Sequence, residues 1–134
     1  MNKELLTELY LTDPNFILNY HGLKDKSLEF CVNDTWETIK NAESYVYDFG
    51  YFTKDNTLDI VPRLTGFFIK PEFRNKETFD LFKNEVNSKM PKYFMSCTHK
   101  DNTKVNNFLT KLGGKQFHNI ENNTYYFIFK QENI

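Results

Sequence analysis

Apolar residues change their spacing twice along this chain. At the N-terminus they fall at helical intervals: Leu5, Leu6 and Leu9 in "NKELLTELYL" predict a short amphipathic helix. "DPNFILNYHG" predicts a second helix, with Asp13 as N-cap, Pro14 at the first helical position and Gly22 as the stop. "DKSLEFCVND" fits helix or strand, and helix is preferred. From there β-branched and aromatic residues crowd together. "TWETI", "SYVYDFGYF" and "VPRLTGFFI", separated by the turn-like "KNAE" and "TKDNT", predict three consecutive antiparallel strands. Helical spacing then returns in "KETFDLFKNEVNSKM", where Phe79, Phe82, Val86 and Met90 share one face. "KYFMSCTH" predicts a strand. "NTKVNNFLTKLGG" predicts a helix burying Val105, Phe108, Leu109 and Leu112, capped by Asp101 or Asn102 and ended by Gly113-Gly114. "KQFHNI" and "TYYFIFK" form a hairpin across "ENN", and the second strand, apolar on both faces, is expected to be covered on both sides. The predicted order is α-α-α-β-β-β-α-β-α-β-β, a mixed sheet with helices on both faces.

Composition narrows the function classes. A chain of 134 residues is long enough to close one core without metal or disulfide help, so residues 1–134 are expected to form a single domain. Aromatic residues make up 17% of it, so phenylalanine and tyrosine must carry much of the core. The abundant Asn and Lys read as surface positions, a bias that an AT-rich coding sequence produces without functional cause. A net charge of −1 gives no bulk pull toward nucleic acid or an anionic membrane, and no specific nucleic-acid site is expected. Without an apolar run near 18 residues or a signal peptide, the chain is expected to be soluble and intracellular at synthesis. Cys31 and Cys97 lack CxxC spacing and are expected as buried free thiols in a reducing compartment. His21, His99 and His118 lack zinc-site spacing. Cys97 and His99 would share one strand face, but no oxyanion turn or orienting acid accompanies them.

The stretch "FFIKPEFRNKETFDLF" runs from a strand through Pro71 and Arg74 into a helix. It resembles the central motif of the GNAT superfamily of acyl-CoA-dependent N-acyltransferases, in which a strand ends in V-x-P-x-x-R-G-x-G-x-G before a helix. "NTKVNNFLTKLGGKQF" is similar to the motif that follows, N-x-x-A-x-x-F-Y-x-x-x-G-F. The resemblance covers about residues 35 to 130. It implies an α/β fold with a GNAT-like mixed sheet, mostly antiparallel around a central parallel pair, with helices on both faces. Within the superfamily, "SLEFCVNDTWETIKN" and "KYFMSCTHKDNTKVNNFLTKLGG" are closest in style to small GNAT-like proteins of tailed bacteriophages, some of which are internal virion proteins.

In the superfamily the glycine turn and the helix N-terminus wrap the CoA pyrophosphate. Here Arg74 matches the motif arginine, while Asn75, Glu77 and Phe79 stand where the three glycines belong. Asn75 tolerates a left-handed backbone. Glu77 would face the pyrophosphate with like charge, although it suits the first turn of an anion-free helix. Phe79 sets a large ring where close backbone approach is wanted, or turns into the core. Phe68, Ile69 and Lys70 match the strand end whose splayed backbone pairs with the pantetheine arm as an added strand does. With Arg74, Asn75, Lys76, Thr78 and Asn102, they make up the CoA site implied by the resemblance, weak or vestigial here.

The resemblance also implies a catalytic acid at the tyrosine of the F-Y pair, but the pair here is Phe108-Leu109. Tyr93, Tyr125 and Tyr126 are substitutes that nothing in the sequence places. Asp48 and Asp59 are candidate bases, with exposed, solvated carboxylates as the plainer reading. No catalytic or metal-binding residue is therefore assigned, and no cofactor is expected. The expectation is a GNAT-fold protein of a tailed bacteriophage without efficient catalysis. Made in the bacterial host cytoplasm, it would lie in the virion interior near the portal, assembled as copies with other core or portal proteins. The alternative is an active N-acetyltransferase using acetyl-CoA on a host amine.

Overall fold

The computed structural model describes residues 1–15, 27–58, 60–117 and 123–134. Helix α1 (Lys3–Leu11) is capped by Asn2, whose Oδ1 accepts the Leu5 N–H at 2.8 Å, and it buries Leu6, Leu9 and Tyr10. Pro14 and Asn15 are helical, and the rest of the predicted second helix lies outside the described residues. Helix α2 (Leu28–Ile39) starts at Ser27, whose Oγ accepts the Phe30 N–H, and buries Cys31, Val32, Thr35 and Ile39. "TWETI" is thus the end of a helix and not a strand. Its Thr35 and Ile39 continue the stripe set by Cys31 and Val32, and burial of that stripe outweighs the strand propensity of five residues.

"SYVYDFGYF" is not one strand but a hairpin, β1 (Glu43–Tyr47) and β2 (Gly50–Asp55). Gly50 has φ +149°, and a Cβ there would lie 1.8 Å from the Phe68 carbonyl oxygen, so only glycine fits this close approach. Strand β3 (Arg63–Ile69) leads through a single 3-10 turn, Pro71–Phe73, into α3 (Lys76–Lys89). Then come β4 (Tyr93–His99), α4 (Thr103–Leu112), β5 (Lys115–Phe117) and β6 (Thr124–Lys130). Asn102 caps α4 and Gly113 ends it in the left-handed conformation.

The strands form one sheet in the order β1-β2-β3-β4-β6-β5, antiparallel except for the central pair β3–β4. Each face carries its own core. On one, α3 and α4 bury Phe82, Val86, Leu109 and Leu112 against Phe52, Leu64, Phe94, Phe127 and Phe129 of the strands. On the other, α1 and α2 bury Leu6, Leu9, Tyr10, Cys31, Val32 and Ile39 against Tyr51 and Phe68. Adjacent residues such as Tyr51 and Phe52 serve opposite cores, as the period of a strand requires. The predicted stripe of α3, Phe79, Phe82, Val86 and Met90, is buried throughout.

The expected two-sided cover of β6 is not observed. Phe127 and Phe129 are buried, but Ile128 is 40% exposed, beside Phe117 at 40% and Tyr93 at 45%. The second core forms on Tyr51 of β2 and Phe68 of β3, leaving the β4–β6–β5 end of that face open. Both cysteines are free thiols. Cys31 is buried as expected, whereas Cys97 lies half-buried on the open face, accepting a hydrogen bond from Arg63 Nη1 at 3.5 Å.

Candidate functional site

Strands β3 and β4 are joined by one Cα pair, Arg63 with Met95. Beside it the Met95 N–H donates to the Pro62 carbonyl at 3.0 Å, and the Ser96 hydroxyl donates to the Leu64 carbonyl at 2.8 Å. Thr53 pairs with Gly66 and Lys54 with Leu64, so Thr65 is an extra residue, a bulge that bends β3. The far end of β3 therefore stands apart from β4. Side chains from β3, the 3-10 turn, α3 and α4 enclose a cleft of about 430 Å³ there.

Its walls are aromatic. Phe67 stacks on Phe108 with ring centroids 4.9 Å apart, and Phe79 meets Phe108 edge-on at 5.4 Å. Lys111 Nζ lies 4.4 Å from the centre of the Phe79 ring, a cation–π contact. Arg74, Lys76 and Lys111 also line the cleft, and no carboxylate, hydroxyl or imidazole does among the described residues.

The turn beneath the cleft is held by its own side chains. Asn75 has φ −140° and ψ 172°, so it is extended and not left-handed as its residue type permits. It is the N-cap of α3: its Oδ1 accepts the Thr78 N–H at 2.9 Å and its carbonyl accepts the Phe79 N–H at 3.0 Å. An N–H that could meet an anion at a helix start is thus already bonded to the chain. Arg74 folds back onto the strand end. Its Nε donates to the Ile69 carbonyl at 2.8 Å, its Nη1 pairs with Asp13 at 2.7 Å, and its guanidinium lies 5.4 Å from the Phe68 ring centre.

Of the residues proposed from sequence for a CoA site, Phe68, Ile69, Arg74, Asn75 and Lys76 line the cleft. Lys70, Thr78 and Asn102 are not among its lining residues. The Lys70 N–H donates to the Phe49 carbonyl, Thr78 lines a separate groove, and buried Asn102 caps α4 by accepting the Val105 N–H. The sequence reading missed Phe67, Phe73 and Lys111 as lining residues. It placed Val105 and Phe108 only in a core stripe, although the half-buried Phe108 showed helical spacing toward this wall.

Of the groups weighed for proton transfer, those described lie elsewhere. Leu109, in place of the tyrosine acid, is fully buried in the core. Tyr93 is exposed on the open sheet face, Tyr126 packs on Phe117 at 5.8 Å, and Tyr125 packs against the larger core. Asp48 is exposed between β1 and β2, and Asp59 lies outside the described residues. His99 Nδ1 accepts the Asp101 N–H at 3.1 Å. Asp48 borders a groove of about 730 Å³ on the other flank of the turn, lined also by Tyr47, Glu72, Glu77 and Glu85. The Tyr47 hydroxyl donates to Glu85 at 2.9 Å, and burial, then that bond, push its pKa upward. Among the described residues no cluster of His, Cys, Asp or Glu is arranged to hold a metal, and no helix is long and apolar enough to cross a membrane.

No protein-family model matches the chain, and no curated protein matches it in sequence. In structure it is similar to an acetyltransferase from Thermus thermophilus, at 13% identity and a TM-score of 0.68, over 96% of this chain and 90% of that one. It is similar to a GNAT-family acetyltransferase from Bacillus cereus, at 16% identity and 0.54, over 94% and 89%. It is also similar to the microcin C7 self-immunity acetyltransferase MccE in complex with acetyl-CoA and AMP, at 16% identity and 0.56, over 96% and 88%. At such identities the likeness concerns architecture, and function has to be argued from the site. The architecture is plain: this chain has the fold of the GNAT acetyltransferases.

Proposed function

We propose that the protein is a GNAT-fold protein with little or no acyl-transfer activity, serving as a structural component of a tailed-bacteriophage particle. The observation behind the first half is the self-capped turn. Asn75 Oδ1 takes the Thr78 N–H, Arg74 is committed to Ile69 and Asp13, and Glu77 adds a carboxylate to the first turn of α3. A CoA pyrophosphate would have to displace these bonds and meet like charge. The second half rests on the resemblance in style of "SLEFCVNDTWETIKN" and "KYFMSCTHKDNTKVNNFLTKLGG" to small GNAT-like proteins of tailed bacteriophages, some of which are internal virion proteins. On this reading the partners are copies of the chain and other core or portal proteins, inside the virion.

One observation favours a second reading, an acetyl-CoA-dependent N-acetyltransferase. The cleft opens where β3 and β4 part, bears cations and has room for a ligand arm. Isothermal titration with acetyl-CoA, with desulfo-CoA as control, separates the two. No binding up to millimolar supports the scaffold reading, and micromolar binding with transfer to an amine establishes the enzyme. Mass spectrometry of purified particles tests the virion assignment, which fails if the protein is absent from them.

A further inference from the structure

We propose that the aromatic cleft binds a small apolar carboxylate, a medium-chain alkanoic or arylalkanoic acid, with its hydrocarbon against Phe67, Phe73 and Phe108 and its acid within reach of Lys76 and Lys111. The inference rests on the reading above that the turn is closed to pyrophosphate.

The size and walls of the cleft set the body of the ligand. About 430 Å³ falls in the range of small-molecule sites, and its wall is built mainly of phenylalanine rings. Charge sets the head. Among the described residues the lining holds cations and no carboxylate, and neither Lys76 nor Lys111 has a salt-bridge partner. Arg74 differs, since Asp13 balances it. Two uncompensated ammonium groups beside an apolar wall select a negative head over a neutral or positive one. A single charge suits the site better than a polyphosphate. The Thr78 N–H is already bonded, and the far flank of the turn bears Asp48, Glu72, Glu77 and Glu85, whose field opposes each further negative charge.

Calorimetry on the intact chain tests this with hexanoate, octanoate, octanol and octylamine, and with acetyl-CoA in parallel. Octanoate is expected to bind saturably at one site, octanol at least about tenfold more weakly, and octylamine not at all. Each added methylene is expected to tighten binding about threefold to fourfold. Lys111→Glu, at an exposed position in the last turn of α4, is expected to weaken octanoate at least about tenfold while lowering the melting temperature only slightly, through the lost contact with Phe79. The proposal is overturned if octanoate shows no saturable binding up to millimolar, if octanol binds as tightly, or if Lys111→Glu leaves the affinity unchanged. Micromolar acetyl-CoA binding would instead overturn the reading of the turn, and this proposal with it. Absence of both ligands removes the carboxylate site alone.

Discussion

The turn from Pro71 to Asn75 divides two concave surfaces of opposite charge. Among the described residues, the cleft on the α4 side is lined by Arg74, Lys76 and Lys111 and by no acid. The groove on the β1–β2 side is lined, among the same residues, by Asp48, Glu72, Glu77 and Glu85 and by no base. Phe73 and Asn75 line both. A net charge of −1 averages this separation away, so the bulk value says nothing about which ions the turn attracts on either flank.

Phe82→Ala should damage both sides at once. This fully buried ring meets Phe49 of the groove at 6.4 Å and Phe108 of the cleft at 5.4 Å. Its removal is expected to cost about 3–5 kcal/mol, read as a lower urea midpoint. Asn75→Ala acts on the shared wall and should cost about 1 kcal/mol through loss of the cap. Asn75→Gly combined with Glu77→Gly should sharpen the comparison: it lowers stability by about as much as the alanine change, because Glu77 leaves the first turn of α3, yet strengthens acetyl-CoA binding, which titration would detect. Arg74→Ala or Asp13→Ala should cost about 1 kcal/mol or less, because the pair is partly exposed. A double-mutant cycle would show the two changes to be non-additive.

The smallest effect belongs to the groove and depends on pH. The folded state holds the Tyr47 phenol neutral, its pKa raised by burial and by its bond to Glu85. That contribution is complete below the ordinary tyrosine value of about 10 and is lost as pH rises past it toward the folded value. Tyr47→Phe should therefore flatten the alkaline limb of the stability profile and cost at most about 1 kcal/mol at neutral pH, where the bond to Glu85 is intact. Tyr10 and Tyr45, whose pKa values are also raised, keep part of the slope.

What was legible in the sequence follows the range of the interactions involved. The stripe of Phe79, Phe82, Val86 and Met90 and the Gly113 stop are local features, so period and residue type revealed them. "TWETI" misled because its β-branched residues and tryptophan suit a strand, whereas its helical phase is set by Cys31 and Val32 upstream. In "SYVYDFGYF" continuous aromatic character hid the hairpin, and Gly50 was the readable sign of a break. At the site, Arg74 could be found from its motif, but its partner Asp13 lies 61 positions earlier, beyond any local pattern. Lys111 joins the cleft only through the packing of α4 over β3. Of the asparagines that cap helices, Asn102 was already one of two caps offered by its sequence, whereas Asn2 was hidden in the compositional bias and Asn75 in its motif position.

The contact at Gly50 has a bearing on any saturation mutagenesis of this gene. A Cβ at that position would fall 1.8 Å from the Phe68 oxygen, so nearly every replacement should score as intolerant. Phe68 also borders the cleft, and loss of Gly50 would disturb whatever the cleft holds. Position 50 would then carry the mutational fingerprint of a ligand contact while acting only as a spacer between two strands. Melting curves of the same variants, set beside the functional scores, would tell the spacer from the contact.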